Sequence, residues 1–373
     1  MKETNLKEIA RVFLKLGIIG FGGPAVHIAM MEEEVVRKRK WFTHEHFLDL
    51  IGATNLIPGP NSTEMALHCG KERGGWKGLL VAGACFILPA VIITAVFAWA
   101  YKQYGQLPQI QPFIYGIKPA IIGVIISLMF TLGKKALKNW ELAFIGLACA
   151  ILAIAGINEI FILFGAGFAA ILIYYVRSRA STLNAIGPLA LLPATVIAAN
   201  NTDWKIFWIF LKVGAILYGS GYVLFAFLDS ELVKTGMLSR QTLIDAVAVG
   251  QFTPGPVFSS ATFIGWQMDG LAGAAKATIG IFLPSFLFVG FLNPLVAWLR
   301  RSKAMSAFLD AVNVAAIALI LSVCIEMGKD SVTNWKTVFI LVAGIAVSLF
   351  DKKLNSAFVI VGGAAAGYLL WLI

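Results

Sequence analysis

The sequence predicts an all-α integral membrane protein built from two homologous halves, and three observations lead to this prediction. The 373 residues are 59% hydrophobic and only 13% charged, with a mean hydropathy of +0.82, outside the range of soluble globular domains. The chain repeats itself, and each half has long apolar segments broken by glycine and proline. We therefore predict an inverted-topology repeat with broken helices and about nine full spans.

Glycine and proline break two segments in each half. The clearest break is a Pro-Gly-Pro triplet that occurs twice, 196 positions apart. Each proline removes a backbone donor and clashes with the preceding turn, so neither segment can be one unbroken helix. In a membrane such backbone is tolerated where it is buried in protein or lines a polar cavity, so matched breaks predict re-entrant hairpins around a transport site. The four breaks are Gly22-Gly23-Pro24, Pro58-Gly59-Pro60, Gly219-Ser220-Gly221 and Pro254-Gly255-Pro256.

The second half restarts the first. Residues 210–212 repeat residues 13–15 at an offset of 197, and residues 283–284 repeat residues 88–89 at an offset of 195. We predict a first repeat over residues 1–200 and a second over residues 201–373. Apolar stretches near the length needed to cross about 30 Å of hydrocarbon predict the full spans. They cover residues 78–100, 112–132, 142–157, 160–176, 183–199, 276–299, 304–327, 335–350 and 354–373.

Basic clusters orient the predicted spans. If each broken segment crossed the membrane, residues 37–40 and the cluster of Lys71, Arg73 and Lys77 would lie on opposite faces, which the positive-inside rule disfavours. Re-entrant hairpins place both clusters in the cytoplasm. The five spans of the first half then deliver the chain to the outside, so the two repeats are antiparallel. Thr43 is predicted to cap the helix that leads to the first triplet.

Several classes of protein are disfavoured by composition and motifs. The 30 lysine and arginine residues exceed the 20 acidic ones by ten, but they lie in short clusters between apolar spans, which indicates topology and no nucleic-acid partner. The four cysteines lack metal or redox spacing, and we expect them to be structural. The sequence has no Walker A, zinc-binding or nucleophile-elbow pattern. We therefore expect neither an enzyme nor a cofactor.

The motifs resemble those of the chromate transporter family in its long two-domain form. The resemblance covers nearly the whole chain and rests on GFGGPAVHI, LIPGPNSTEMALH, FILPA, GSGYV, GQFTPGP and GWQMDG. It implies a secondary transporter in the cytoplasmic membrane that exports the chromate oxyanion and confers chromate resistance. A transporter or channel for sulfate or another oxyanion is the alternative. Ser220 and Gly221 stand where Gly23 and Pro24 stand in the first half, which puts a strictly symmetric site in doubt.

Helix starts at the breaks suit the anions that this resemblance implies. Chromate and sulfate are tetrahedral dianions, and helix N-termini offer them free N–H groups and a positive dipole end. Glycine lets the backbone approach closely, and proline suits the first helical position. The polar side chains after the triplets either bind the anion or cap their own helices. The predicted substrate-binding residues are Gly22, Gly23, Pro58, Gly59, Pro60, Asn61, Ser62, Thr63, Gly219, Ser220, Gly221, Pro254, Gly255, Pro256, Ser259 and Ser260.

Ionisable residues near the breaks are candidates for proton coupling. Glu64 and His68 stand four positions apart, which places them on one helical face, and His27 lies near the first break. Ionisable side chains inside a membrane are functional candidates by default. They either carry a proton through the transport cycle or form a hydrogen-bonded pair that fixes the hairpin.

Other residues around the breaks are given structural roles. The matched lysines Lys15 and Lys212 either attract anions or extend their amino groups to the membrane interface. Asp49 and Asp245 are expected to cap helices or to pair with a basic residue. Beyond lipid and the oxyanion, small residues near the C-terminus suit helix packing within the chain or in a homodimer equally well.

Overall fold

The computed structural model describes residues 6–21, 23–105, 107–177, 204–218, 221, 223–291, 302–350 and 354–372, and every regular element in these ranges is helical. The first half contains α1 (Leu6–Ile19), α2 (Pro24–Met31), α3 (His44–Thr54), α4 (Asn61–Tyr104), α5 (Gln111–Ala136), α6 (Trp140–Ile154) and α7 (Glu159–Arg177). The second half contains α8 (Lys205–Ile216), α9 (Val223–Leu228), α10 (Arg240–Phe252), α11 (Ser260–Phe291), α12 (Lys303–Ser331), α13 (Trp335–Phe350) and α14 (Ser356–Trp371). π-Helical segments follow α2 and α9, over Glu32–Lys38 and Asp229–Val233.

Five of the described helices are long and apolar enough to cross a membrane. They are α4, α5, α7, α12 and the stretch Val257–Phe291, which includes α11. The helices α6, α13 and α14 are apolar but have 15 or 16 residues. Eight of the nine predicted spans therefore coincide with apolar helices, and the ninth, residues 183–199, lies outside the described residues.

The long helices α4 and α11 are each kinked at the same place. Gly74 and Gly75 depart from helical geometry in α4, and Asp269 and Gly270 do so in α11, at an offset of 195. Gly75 has a φ of +59° and Gly270 a φ of +55°, a backbone conformation that favours glycine. Each kink separates a short half-helix, which follows the Pro-Gly-Pro triplet, from a membrane span.

The half-helix before the first triplet begins as predicted. Thr43 is the N-cap residue of α3, and its hydroxyl accepts a hydrogen bond from the His46 N–H at 3.2 Å. Ser239 caps α10 in the same way, with Thr242 N–H as the donor at 3.0 Å. The cap prediction for Thr43 is confirmed, and the matched cap in the second half gives α3 and α10 equivalent starts.

The two halves are interlocked. The helix α1 packs against α4, α8 packs against α11, and α4 and α11 meet each other. Further along the chain, α5 of the first half packs against α13 and α14 of the second, while α12 of the second packs against α6 and α7 of the first. Each half thus supplies a long helix around which the other half's helices pack.

The small residues near the C-terminus serve packing within the chain. A Cβ atom on Gly363 would lie 2.4 Å from the Ala120 side chain, and one on Gly367 would lie 2.4 Å from the Gly116 Cα in α5. Such close approach of two helices is the usual role of small residues in membrane interiors.

Candidate functional site

The two Pro-Gly-Pro triplets are buried where the halves meet, and each contacts the broken helix of the other half. The Gly59 N–H donates to the Leu217 carbonyl at 2.7 Å, and the Gly255 N–H donates to the Gly20 carbonyl at 2.7 Å. Gly20 follows α1 and Leu217 follows α8, at the repeat offset of 197. The two hydrogen bonds are therefore equivalent and reciprocal.

Glycine is required at the centre of each triplet. Gly59 has a φ of +136° and Gly255 a φ of +89°, both in the region that favours glycine. A Cβ atom on Gly59 would collide with the Glu64 carboxylate and lie 2.7 Å from the Ser285 hydroxyl of the opposite half. A Cβ atom on Gly255 would lie 3.0 Å from Ala90, which occupies the position equivalent to Ser285. Each triplet thus packs at the same point of the opposite long helix.

Helix starts adjoin both triplets. The Pro60 carbonyl accepts hydrogen bonds from the Thr63 and Glu64 N–H groups at 2.8 and 3.0 Å, so the first N–H groups of α4 point beyond the helix. Pro256 precedes a 3₁₀ turn over Val257–Ser259, and neither Pro60 nor Pro256 provides a side-chain cap. These helix starts retain the donors that the sequence predicts for an anion site.

The first break of each half is described only in part. Gly23 is the N-cap of α2, with a φ of +83° and no side-chain cap, and Pro24 is the first helical residue. In the second half, Gly221 is half-buried and α9 has only six residues before the helix becomes π-helical. Gly22, Gly219 and Ser220 lie outside the described residues.

Four predicted hydroxyls lie buried beside the triplets. They belong to Ser62, Thr63, Ser259 and Ser260. The Ser259 hydroxyl accepts from the Thr94 hydroxyl at 3.2 Å. The hydroxyl oxygens of Thr63 and Ser260 are buried without a hydrogen-bond partner among the described residues. Asn61 is only partly buried, and its side-chain amide donates to Asn55 at 3.1 Å.

Glu64 and His68 do not form the hydrogen-bonded pair that is one of the two interpretations of their spacing. Both side chains are fully buried, but Glu64 Oε1 accepts from the Ser285 hydroxyl at 3.4 Å, across the contact between the halves. Glu64 Oε2 and both ring nitrogens of His68 have no partner among the described residues. The pairing interpretation was wrong because helical spacing brings two residues to one face without fixing where each side chain points.

His27 belongs to the contact between the halves. Its Nε2 lies 2.8 Å from the Gly20 carbonyl, which also accepts from the Gly255 N–H. Because a carbonyl only accepts, this hydrogen bond requires a proton on Nε2. The ring packs edge-on against Phe86, with ring centroids 5.5 Å apart.

Two matched ion pairs were not predicted. Lys15 donates to Glu34 at 2.8 Å, and Lys212 donates to Glu231 at 2.5 Å. Each lysine precedes its glutamate by 19 positions, a repeated spacing that is visible in the sequence. The lysines therefore hold the segments after α2 and α9 against α1 and α8.

Only one member of a buried charged cluster, Asp245, was predicted from the sequence. Asp245 in α10 accepts from the Tyr101 hydroxyl at 2.6 Å, and its other carboxylate oxygen lies 3.7 Å from the Lys118 amino group in α5. Lys118 is the only buried lysine or arginine among the described residues. The expectation that Asp245 pairs with a basic residue is confirmed. Its partner could have been suspected, because Lys118 interrupts an apolar run directly before Pro119.

The five long apolar helices and the three shorter ones define a multi-pass protein of the cell membrane. The family model described as chromate transporter matches the chain twice, over residues 7–171 and 204–368. The chain therefore belongs to the chromate transporter family.

Full-length relatives carry the family's name. The chain is 31% identical to the probable chromate transport protein of Synechococcus elongatus, with 98% of this chain and 96% of that protein aligned. It is 31% identical to the chromate transport protein of Cupriavidus metallidurans, over 97% of this chain and 92% of that one. It is 28% identical to the chromate transport protein of Pseudomonas aeruginosa, over 96% of this chain and 91% of that protein. No solved structure matches the chain.

Proposed function

We propose that this protein is a secondary transporter that exports the chromate oxyanion across the cytoplasmic membrane and thereby confers chromate resistance. The single observation that carries the proposal is the reciprocal contact of the two Pro-Gly-Pro triplets. The helix starts and buried hydroxyls that follow the triplets adjoin these contacts, which supports a site between the halves. Relatives whose names state chromate transport support the choice of substrate.

In this proposal the halves are inverted-topology repeats, the first over residues 1–200 and the second over residues 201–373. The two family-model matches fall one in each. The helices before and after the first break, α1 and α2, have 14 and 8 residues, and α3 has 11, all shorter than the roughly 20 that a span needs. Their length supports re-entrant hairpins that dip into the membrane and return.

The anion binds at the helix starts between the repeats. Each helix N-terminus carries about half a positive charge, so the starts of α2, α4 and the turn before α11 together offer roughly +1.5 to a dianion. The hydroxyls of Ser62, Thr63, Ser259 and Ser260 complete the proposed site. The unpartnered hydroxyls of Thr63 and Ser260 support this role, since buried polar groups normally have a partner.

Proton exchange drives the proposed export, with Glu64, His68 and His27 as the carriers. Glu64 and His68 are fully buried and have unpartnered polar atoms among the described residues. His27 shares the Gly20 carbonyl with the second triplet, so a change in its charge would act on the contact between the repeats. Ionisable groups in such places are typical of proton relays in transporters.

Uptake into inverted membrane vesicles tests the proposal. Labelled chromate and labelled sulfate are offered separately, with and without an imposed proton gradient. Gradient-dependent accumulation of chromate supports a proton-coupled exporter. Accumulation of sulfate alone would indicate a sulfate transporter instead. An anion conductance far above the turnover of a carrier would indicate a channel. Absence of flux for both anions would contradict the anion site.

A further inference from the structure

The matched half-helices α3 and α10 differ in how far they are buried. In α3 the buried residues are Phe47, Leu50, Ala53 and Thr54. In α10 they are Leu243, Ile244, Asp245, Ala246, Val247, Ala248, Gly250 and Gln251. The main contacts of α3 are with α4 and the adjoining π-helical segment, whereas α10 also packs against α5, α12 and α14. Two elements at equivalent positions of the repeat are therefore buried to different extents, and α10 is the more deeply docked.

The cluster of Tyr101, Lys118 and Asp245 lies on the docked side. Thr94 contacts Ser259 of the proposed site, and Tyr101 follows seven residues later on α4, about 10 Å further along the helix axis. The Tyr101 ring packs on Phe263, with centroids 5.2 Å apart. The cluster thus stands between the proposed anion site and the end of α4 at Tyr104.

The equivalent positions of the repeat carry a different pair of side chains. Asp49 occupies the position of Asp245, and Asn313 in α12 occupies that of Lys118, at the offsets of 196 and 195 that the surrounding motifs follow. Both Asp49 and Asn313 are exposed, whereas Asp245 is 4% and Lys118 is 9% exposed. An asparagine cannot form the ion pair that a lysine forms with an aspartate. The charge pair that holds α10 therefore has no equivalent at these positions on the α3 side.

We propose that Lys118, Asp245 and Tyr101 are the gate of the anion pathway on the α10 side, shown here closed. With α10 docked, Asp245 neutralises Lys118 and the three side chains block the route to the central site. When α10 moves away, Lys118 loses its carboxylate partner and becomes the cation that contacts the departing dianion. This inference rests on the proposed anion transport and adds to it a gate and a further substrate contact.

The asymmetry also bears on direction. Because the pair of Lys118 and Asp245 joins α5 to α10, it favours the state in which α10 is docked and the α3 side is open. In the topology proposed above, the α3 side faces the cytoplasm. An exporter must load from the cytoplasm, so a resting state that is open there matches the proposed direction.

Labelling of a buried reporter tests the gate. Ser259→Cys is introduced after the four natural cysteines are replaced by alanine, and a membrane-impermeant maleimide is applied to intact cells or to inverted vesicles. Breaking a buried ion pair from one side is strongly destabilising. We therefore expect Asp245→Asn and Lys118→Met each to raise the rate of labelling from outside the cell by at least about tenfold.

The matched control is the exposed ion pair of Lys138 and Asp310, whose charged atoms lie 2.7 Å apart. Asp310→Asn should leave the labelling rate unchanged. The gate is overturned if Asp245→Asn labels no faster than the parent, or if Asp310→Asn accelerates labelling as much. Combining Lys118→Asp with Asp245→Lys should return the labelling rate toward that of the parent. A double variant that is labelled as fast as the single variants would contradict the ion pair as the interaction that keeps the gate closed.

Flux separates the gate from the anion contact. Lys118→Arg should keep the half-saturating chromate concentration within about threefold of the parent, whereas Lys118→Met should raise it by about tenfold or more, as loss of a charged hydrogen bond does. Equal half-saturating chromate concentrations for Lys118→Arg and Lys118→Met would contradict a contact between Lys118 and the anion. If the parent protein carries no anion, the proposed function fails, while the labelling rates still decide whether α10 closes this side.

Discussion

The hydroxyls of Thr63 and Ser260 are buried beside the triplets without a partner among the described residues. A buried hydroxyl without a partner is destabilising, so its presence needs another reason, and binding of an anion supplies one. Thr63→Val keeps the shape of the side chain and replaces the hydroxyl by a methyl group.

We expect Thr63→Val and Ser260→Ala each to weaken chromate binding by about tenfold or more, because a hydrogen bond to a charged group contributes about 1.5–3 kcal/mol. Thermal stability should stay equal or rise. Binding to the detergent-solubilised protein and its melting temperature measure the two effects. Thr278→Val is the control, since the Thr278 hydroxyl donates to the Ala274 carbonyl within α11. Loss of stability without loss of affinity would show that these hydroxyls are structural.

Glu64 is a fully buried carboxyl, and it accepts a hydrogen bond from the Ser285 hydroxyl of the opposite half. If it carries the coupled proton, Glu64→Gln should abolish chromate accumulation driven by a proton gradient. Exchange of labelled for unlabelled chromate across the membrane should continue, because it requires no net proton movement. Glu141→Gln, which affects a surface ion pair with Arg177, is the control. Accumulation by Glu64→Gln at the parent rate would exclude Glu64 as the carrier.

Glu34 gives a pH dependence of stability. Burial would raise the pKa of its carboxyl, but hydrogen bonds from Lys15, Arg39 and Lys38 outweigh burial and lower the pKa from 4.5 to about 2. Because the folded pKa is depressed, the stabilisation is present above about 4.5 and is lost as the pH falls toward 2.

Glu34→Gln should therefore lower the melting temperature at pH 7 and weaken the acid-induced loss of stability between pH 4.5 and 2. Melting curves of the solubilised protein over that range check this. Glu33→Gln, at a neighbouring and more exposed carboxyl, should change little. A Glu34→Gln variant with the parent's full acid sensitivity would rule out this carboxyl as its source.

At the scale of the helices, the breaks were predictable because proline and glycine restrict or release the backbone locally. Thr43 was predictable as a cap for the same reason, since its hydrogen bond reaches only three residues. The partner of Glu64 was not, because Ser285 is 221 positions away and helical spacing carries no information about it. Local chemistry thus predicts where a helix starts, and tertiary packing decides what its side chains contact.

The triplet glycines allow a comparison of equivalent elements. Gly59→Ala and Gly255→Ala both place a side chain at a positive φ, which costs about 1–3 kcal/mol. Gly59→Ala should be the more damaging, because its Cβ would collide with Glu64 and lie 2.7 Å from Ser285, whereas that of Gly255→Ala would lie 3.0 Å from Ala90. Melting temperature and chromate flux should fall in that order. Gly362→Ala is the control, since nothing lies near its added Cβ. The reverse order would mean that the Gly59 region can relax to accept the methyl group.

At the scale of the whole molecule, the repeat was visible in the sequence but the exchange of helices was not. Apolar periodicity shows that α5 and α12 have faces to bury, and any apolar helix could cover them. In the structure the covering helices come from the opposite half: α13 and α14 pack on α5, and α6 and α7 pack on α12. The helices of each half therefore cover apolar faces of the other half.

This exchange predicts how the protein behaves when it is divided. Residues 1–200 alone leave α5 without α13 and α14, and residues 201–373 alone leave α12 without α6 and α7. Each half expressed alone should therefore be degraded or aggregate, whereas the two expressed together should copurify and restore chromate flux. The cut between residues 200 and 201 spares every described helix and lies outside the predicted span over residues 183–199. A control cut between Gly74 and Gly75 divides α4 and should not be rescued by coexpression. If either half alone gave a stable monomer with the thermal stability of the full chain, the exchanged contacts would not be what holds the fold together.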